Sequence, residues 1–228
     1  GLECSRVLFR SVSKSPSETP VHQVVLEAGT YENKSAAIDL SGPLEEQGQF
    51  LYRLTGLAKN EQGEINYVEN KRQFIAPSLT WQPNDDTRLT VFGQYQKDKG
   101  VPDAQGLPAS GTIWDNPNGK IKRDLFLGEP GVNQYNREQY ALGYELSHRL
   151  NDTWTLKQNA RYAEVDDRYT APLHGYRFVA NPATGVQDQR YLQRFGVDWS
   201  QDNKVFGVDN IAQAEFDTGA LSDRKSVA

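Results

Sequence analysis

Three adjacent carboxylate pairs, Glu45-Glu46, Asp85-Asp86 and Asp166-Asp167, are the first places where acid/base or cation chemistry could sit. The first two fall in short turn-forming stretches, where solvated turn residues are the simpler reading. Asp166-Asp167 opens a longer polar segment and would need further ligands to hold a cation. His22, His148 and His174 are far apart and Cys4 stands alone, so no zinc-type ligand spacing occurs. His148, on an apolar face, reads as an interfacial residue. The sequence has no phosphate loop, dinucleotide fingerprint or Gly-x-Ser-x-Gly elbow. No catalytic residue, resident cofactor or protein-bound metal is therefore expected, and the chain does not read as an enzyme. The remaining candidates are Trp114, Tyr135, Tyr169, His174, Tyr176 and Phe178. Rings offer contact area at little cost in side-chain entropy, which makes them ligand-binding candidates. Packing of a loop against itself is the plainer use of each one taken singly.

The elements that would position these side chains show as a period of two, the mark of strands with unlike faces. Tyr140, Leu142, Tyr144, Leu146 and His148 alternate with Ala141, Gly143, Glu145, Ser147 and Arg149. Trp154, Leu156, Gln158, Ala160 and Tyr162 alternate with Thr155, Lys157, Asn159 and Arg161. Asn151-Asp152-Thr153 joins the two runs as an Asx-type turn, which predicts a hairpin. Similar runs surround Val24, Ile38, Leu54, Leu79, Val91 and Val208, giving about eight strands, most of 9 to 16 residues. Pro77 lies inside one of them and lacks the N–H that a ladder needs.

Composition narrows the class. The 228 residues carry a net charge of −5 with 37% hydrophobic residues, and mean hydropathy is low at −0.71, yet 11% are aromatic. Mild acidity argues against nucleic acid as a partner. No apolar run approaches the roughly 18 residues of a transmembrane helix, and no signal peptide opens the chain. With no Met, the sequence reads as a piece of a longer protein. Residues 1–11 and 224–228 continue no pattern and read as a foreign or disordered leader and a foreign tail.

Connections alternate in length. Residues 41–49, 82–88 and 151–153 are short, whereas 60–72, 97–136 and 166–190 are long. A compact soluble domain rarely holds several structureless loops of more than about 15 residues. Outer-membrane barrels do show short turns at one end, long loops at the other, apolar-out and polar-in strands, and aromatic girdles. Trp81 and Trp154 beside short turns, with Tyr95, Tyr140 and Tyr162 near long ones, fit such girdles. The polar face carries Glu27, Asp39, Arg53, Glu145, Lys157, Arg161 and Glu215. Those ions would crowd a small closed barrel, so a wide one fits better. The two segments 97–136 and 166–190 should then lie at one end of an open antiparallel meander. A complete eight-stranded membrane barrel (adhesin, anchor or lipid-active enzyme) is the alternative, disfavoured because the final strand ends at Phe216 without a terminal aromatic. A soluble carbohydrate-binding sandwich is weaker still.

Specific stretches then resemble a known family. VSKSP at 12–16, LEAGTY at 26–31 and IDLSGPL at 38–44 resemble the plug-to-barrel junction of TonB-dependent siderophore receptors. FLYRLTG at 50–56 and FIAPSLTW at 74–81 look like their third and fourth barrel strands. LTVFGQYQKDKG at 89–100, PNGK at 117–120 and VDNIAQAEFDTG at 208–219 resemble the hydroxamate branch. Leu107-Pro108 follows Gly106, where that branch often has an aromatic. The resemblance covers residues 12–223 and implies an all-β segment of a 22-stranded, plugged transmembrane barrel. It further implies a bacterial outer-membrane location and a ferric siderophore, taken up as cargo, as the ligand. Outer-membrane lipid would be one partner and the TonB complex another, the latter acting through a plug region absent from this sequence.

Overall fold

A computed structural model describes residues 14–101, 106–218 and 221–227, leaving undescribed the side chains of 172–176, 216–218 and 221–227. The alternation becomes a single antiparallel sheet in strict chain order: β1 Val21–Ala28, β2 Lys34–Pro43, β3 Phe50–Gln62, β4 Glu69–Asn84, β5 Thr87–Gly100, β6 Gln134–Arg149, β7 Trp154–Val179, β8 Tyr191–Thr218 and β9 Leu221–Val227. The described residues thus form nine strands rather than eight. The ninth includes Arg224–Val227, set apart above as tail. No described pairing joins β1 to β9, and the sheet is open.

Strand lengths differ more from expectation. β7 and β8 run for 26 and 28 residues, so much of what the hydropathy pattern marks as loop is strand. The reason is physical: above the apolar zone neither face needs to be uniformly apolar, polar and apolar residues mix on both, and the period-two signal disappears. The connections 29–33, 63–68, 106–133 and 180–190 lie at one end, and 44–49, 85–86 and 150–153 at the other, as antiparallel parity requires.

Each short turn is closed by a side chain. Asn151 Oδ1 accepts from the N–H groups of Thr153 and Trp154 (3.0 and 2.9 Å), as the Asx reading requires. Asn84 does the same for Asp86 and Thr87. Glu45 accepts from Gln47 and Phe50 N–H (2.7 and 2.8 Å), and these amides hold its carboxyl below the usual glutamate range. That stabilisation is present above the ordinary glutamate pKa and is lost as pH falls through the depressed one. Glu45→Gln should therefore lower amide protection at Gln47 and Phe50 near neutral pH, and the difference from the parent should shrink on acidification. Equal protection in both proteins would contradict it.

Register rows show the two faces directly. One outward row runs Ile38, Gly56, Ile75, Tyr95, Tyr140, Glu164 and Lys204. Below it, Leu79, Val91, Leu142, Leu156, Phe206 and Val208 are all solvent-accessible apolar groups. A patch of this extent marks an interface or a lipid surface. Trp81 and Trp154 border it at the short-turn end, and Tyr95, Tyr140 and Tyr162 at the other. From Trp154 to Tyr162 the strand rises ~26 Å, comparable to the apolar band of about 25 Å in outer-membrane barrels.

The opposite face holds the core. Leu51, Ser41 and Thr80 are fully buried there, and Thr80 and Thr90 share a 2.7 Å hydroxyl contact. Residues 14–20 lie across it: Pro16 is buried, Ser17 N–H donates to Ser41 Oγ (2.9 Å), and Arg53 Nη1 donates to the Ser15 carbonyl (2.9 Å). Asp39 is the hub of this contact. It accepts from Lys14 Nζ (2.7 Å) and from Arg53 Nε and Nη2 (2.9 and 2.8 Å).

Candidate ligand-binding site

Above the tyrosine girdle the inner face carries two rows of cross-strand neighbours. Register pairs Gly100, Tyr135, Tyr169 and Trp199 in sequence across β5 to β8. The Tyr135 and Tyr169 rings meet edge to face at 6.4 Å, and Tyr169 stacks on Trp199 at 5.8 Å. Both geometries suit the ring quadrupoles. One row lower, Arg72, Asp98, Arg137 and Asp167 are successive cross-strand partners, an alternating charge ladder over four strands. Arg72 Nε donates to Asp98 at 2.5 Å, and Gln96 Nε2 donates to the other Asp98 oxygen at 2.7 Å. Arg137 stands 3.6 Å from Asp167. The Tyr135 hydroxyl and the nearby Asp167 hold its guanidinium more firmly charged than usual.

Arg72, Asp98, Gly100, Tyr135 and Arg137 of these rows line an open cavity of about 570 Å³, closed at the sides by the turns 29–33 and 63–68, while Tyr169, Trp199 and Asp167 continue the rows beyond its lining. Its polar lining is largely amide and hydroxyl: Asn33, Asn70, Gln96, Gln139, Tyr31 and Tyr135. Such a concave surface, with a few oriented polar groups, is how small-ligand sites are built.

The segment 106–133 folds over this end and is fastened on both sides. Asn66 Nδ2 donates to the Asp124 carbonyl (2.9 Å), and Tyr67 packs on Phe126 at 5.7 Å. On the other side Ser110 Oγ and Asn118 Nδ2 donate to Gln189 Oε1 and the Asp188 carbonyl (2.8 and 2.7 Å). Arg194 donates to the Gly128 carbonyl and to Glu129 (both 2.9 Å). Gly111, at φ +93, makes the turn that presents Trp114.

The structure thus brings Tyr135 and Tyr169 together as strand residues, not loop residues. Trp114 stands apart on segment 106–133 and is 70% exposed. Phe178 lies near the end of β7 opposite Leu192. His174 and Tyr176 belong to β7, but their side chains lie outside the described residues. Trp199 and the ladder escaped the sequence reading. Trp199 shares a face with Phe195 and Val197, a weak strand signal, whereas the ladder requires cross-strand register. Asp166 and Asp167 point to opposite faces of β7 and cannot share a cation. Asp166 lies across from Asp202, and their hydrogen bond raises its pKa.

Comparison with known proteins agrees with this architecture. Residues 80–226 match the family model described as TonB dependent receptor-like, beta-barrel. The chain is 33% identical over 224 residues to the ferrichrome outer membrane transporter/phage receptor of Escherichia coli K12, covering 94% of this chain and 30% of that protein. It is 30% identical over 212 residues to the ferrioxamine receptor of Yersinia enterocolitica, covering 93% and 28%. In structure it resembles the open form of the ferric-catecholate import receptor Fiu from E. coli K12, with a TM-score of 0.78 at 18% identity, over 92% of this chain and 33% of that one. The chain spans about a third or less of each of these relatives, which are receptors and transporters, not enzymes. Proteins of this kind are β-barrels of the bacterial outer membrane, which accounts for the lipid-suited outer face and the polar inner one. By sequence match and by strand architecture alike, this chain belongs to the TonB-dependent receptor β-barrel family.

Proposed function

We propose that this chain forms part of the wall and outer mouth of a receptor that binds ferric siderophores of the hydroxamate type and imports them. Energy would come from the TonB complex acting through a plug region outside the chain, and the apolar belt would contact outer-membrane lipid. The observation that carries the reading is the ring ladder Tyr135–Tyr169–Trp199 above a cavity rich in amides. A neutral ferric trihydroxamate presents apolar edges and carbonyl oxygens, which rings and amide N–H groups match. The relatives named for ferrichrome and ferrioxamine support the ligand class.

In the receptor containing this chain, replacing Tyr135 and Tyr169 together by Ala should weaken ferric trihydroxamate binding at least about tenfold, since a central aromatic contact is worth 2 kcal/mol or more. Heat-modifiable migration of the barrel should be unchanged. A second double variant, Trp114→Ala with Tyr176→Ala, should show a similar loss if segment 106–133 and the upper part of β7 also reach the ligand. Normal affinity in both double variants, with normal surface expression, would remove these aromatics from the site.

A further inference from the structure

We infer that the ladder Arg72–Asp98–Arg137–Asp167 is a charge filter: its two carboxylates silence two arginines that would otherwise make this mouth a receptor for anionic chelates. The inference rests on the siderophore reading above and assigns the ladder a role in choosing among siderophore classes.

The cavity lining contains two guanidiniums, Arg72 and Arg137, against three carboxylates, Glu61, Glu69 and Asp98. Neither arginine faces the cavity alone. Asp98, with only 4% of its side chain exposed, holds Arg72 at 2.5 Å and is itself pinned by Gln96. Asp167, 12% exposed, stands 3.6 Å from Arg137. This second pair is the looser one: Arg137 Nε and Asp167 Oδ1 are both buried without a hydrogen-bond partner. An ion pair presents a dipole, whose field fades faster with distance than that of a lone charge. The remaining carboxylates are paired too, Glu61 with Lys59 and Glu69 with Lys71, so these groups offer the cavity no unpaired charge of either sign. A trianionic ferric tris-catecholate entering here must shed its hydration and finds no free cation to offset that cost. A neutral trihydroxamate meets neither obstacle and keeps its contacts to Gln96, Gln139 and Tyr135. Leaving the wrong ligand's charge uncompensated on desolvation is a route to specificity.

Two isosteric changes test the filter in the full receptor: Asp98→Asn and Asp167→Asn, each removing one negative charge with little change in shape. Binding of a neutral ferric trihydroxamate and of a trianionic ferric tris-catecholate would be measured for parent and variants at low and high salt. Each variant should gain about tenfold or more in tris-catecholate affinity, the size of one close charge interaction. Trihydroxamate affinity should change by less than tris-catecholate affinity does, and the gain should shrink as salt screens it. Asp98→Glu, which keeps the charge, should behave as the parent. If Asp98→Asn does not assemble, Asp167→Asn alone carries the test, because that pair is looser and nearer the surface. No gain in tris-catecholate affinity, or an equal gain for both ligands, would overturn the filter. A parent receptor that binds no trihydroxamate at all would overturn the siderophore reading itself, a different result.

Discussion

Replacing Asp39 by Ala is expected to destabilise the receptor by about 3 kcal/mol, because removing one partner of a buried ion pair leaves the other charge uncompensated. Asp39 is 8% exposed, and its partner Arg53 keeps only 16% of its side chain accessible. Two of the three donors reaching Asp39 come from Arg53, so the guanidinium has most to lose. Lys14, at 63% exposure, can return to water at little cost. The effect should therefore run through Arg53. Asp39→Ala combined with Arg53→Met should be less destabilised than Asp39→Ala alone, giving a coupling energy in a double-mutant cycle. Urea titration of the receptor in lipid vesicles would measure it. Because Arg53 also holds the Ser15 carbonyl, Asp39→Ala should additionally increase protease access at residues 14–20. A variant as stable as the parent, with those residues still protected, would contradict this account of the hub.

Gly143→Val is expected to be the most damaging single change in the central strands. A Cβ at this position would lie 2.5 Å from the Ala160 carbonyl oxygen and 2.7 Å from the Phe92 ring. Phe92 is the cross-strand partner of Gly143 on β5, and its ring covers the bare glycine. The ring can turn aside; the Ala160 carbonyl, fixed in the β6–β7 ladder, cannot. Overpacking of this kind costs 1–3 kcal/mol and sometimes more, so a loss of at least about 2 kcal/mol is expected for Val and a smaller one for Ala. Phe92→Leu should relieve part of the Val effect. Loss of heat-modifiable migration or a lower urea midpoint would report it, and an unchanged midpoint for Gly143→Val would rule the packing argument out.

These residues also mark where the sequence could be read and where it could not. The hairpin of β6 and β7 is legible from Tyr140 to Tyr162 because one face meets lipid and keeps mostly apolar side chains there, Gln158 and His148 aside. Asp39 and Arg53 are legible as inward-facing ions for the same reason. Beyond Glu164 the strand leaves the apolar zone, polar and apolar residues mix on both faces, Pro172 and Gly175 interrupt the run, and the remainder of β7 looks like loop. Tyr135 and Tyr169 stand out individually as aromatics with no obvious core to fill. Their contact depends on register, which residue types do not encode over a separation of 34 positions. The charge ladder is the extreme case. Arg72, Asp98, Arg137 and Asp167 each look like ordinary solvated charge until four strands align them.

The fastening of segment 106–133 has a mechanical consequence. Beyond Thr170, β7 pairs only with β8, so the upper part of the hairpin is a two-stranded cantilever ~30 Å long. Alone, such a ribbon would twist and sway about its root. The bonds from Ser110 and Asn118 to its tip, and from Arg194 lower down, tie it to a segment whose far side is anchored at Asn66 and Tyr67. Tip, root and far anchor form a triangle, and a triangle, unlike a beam, resists load without bending at its joints. Deflecting the ribbon and shifting the segment thus become one degree of freedom, and a force applied at 180–190 is delivered to the turn at 63–68.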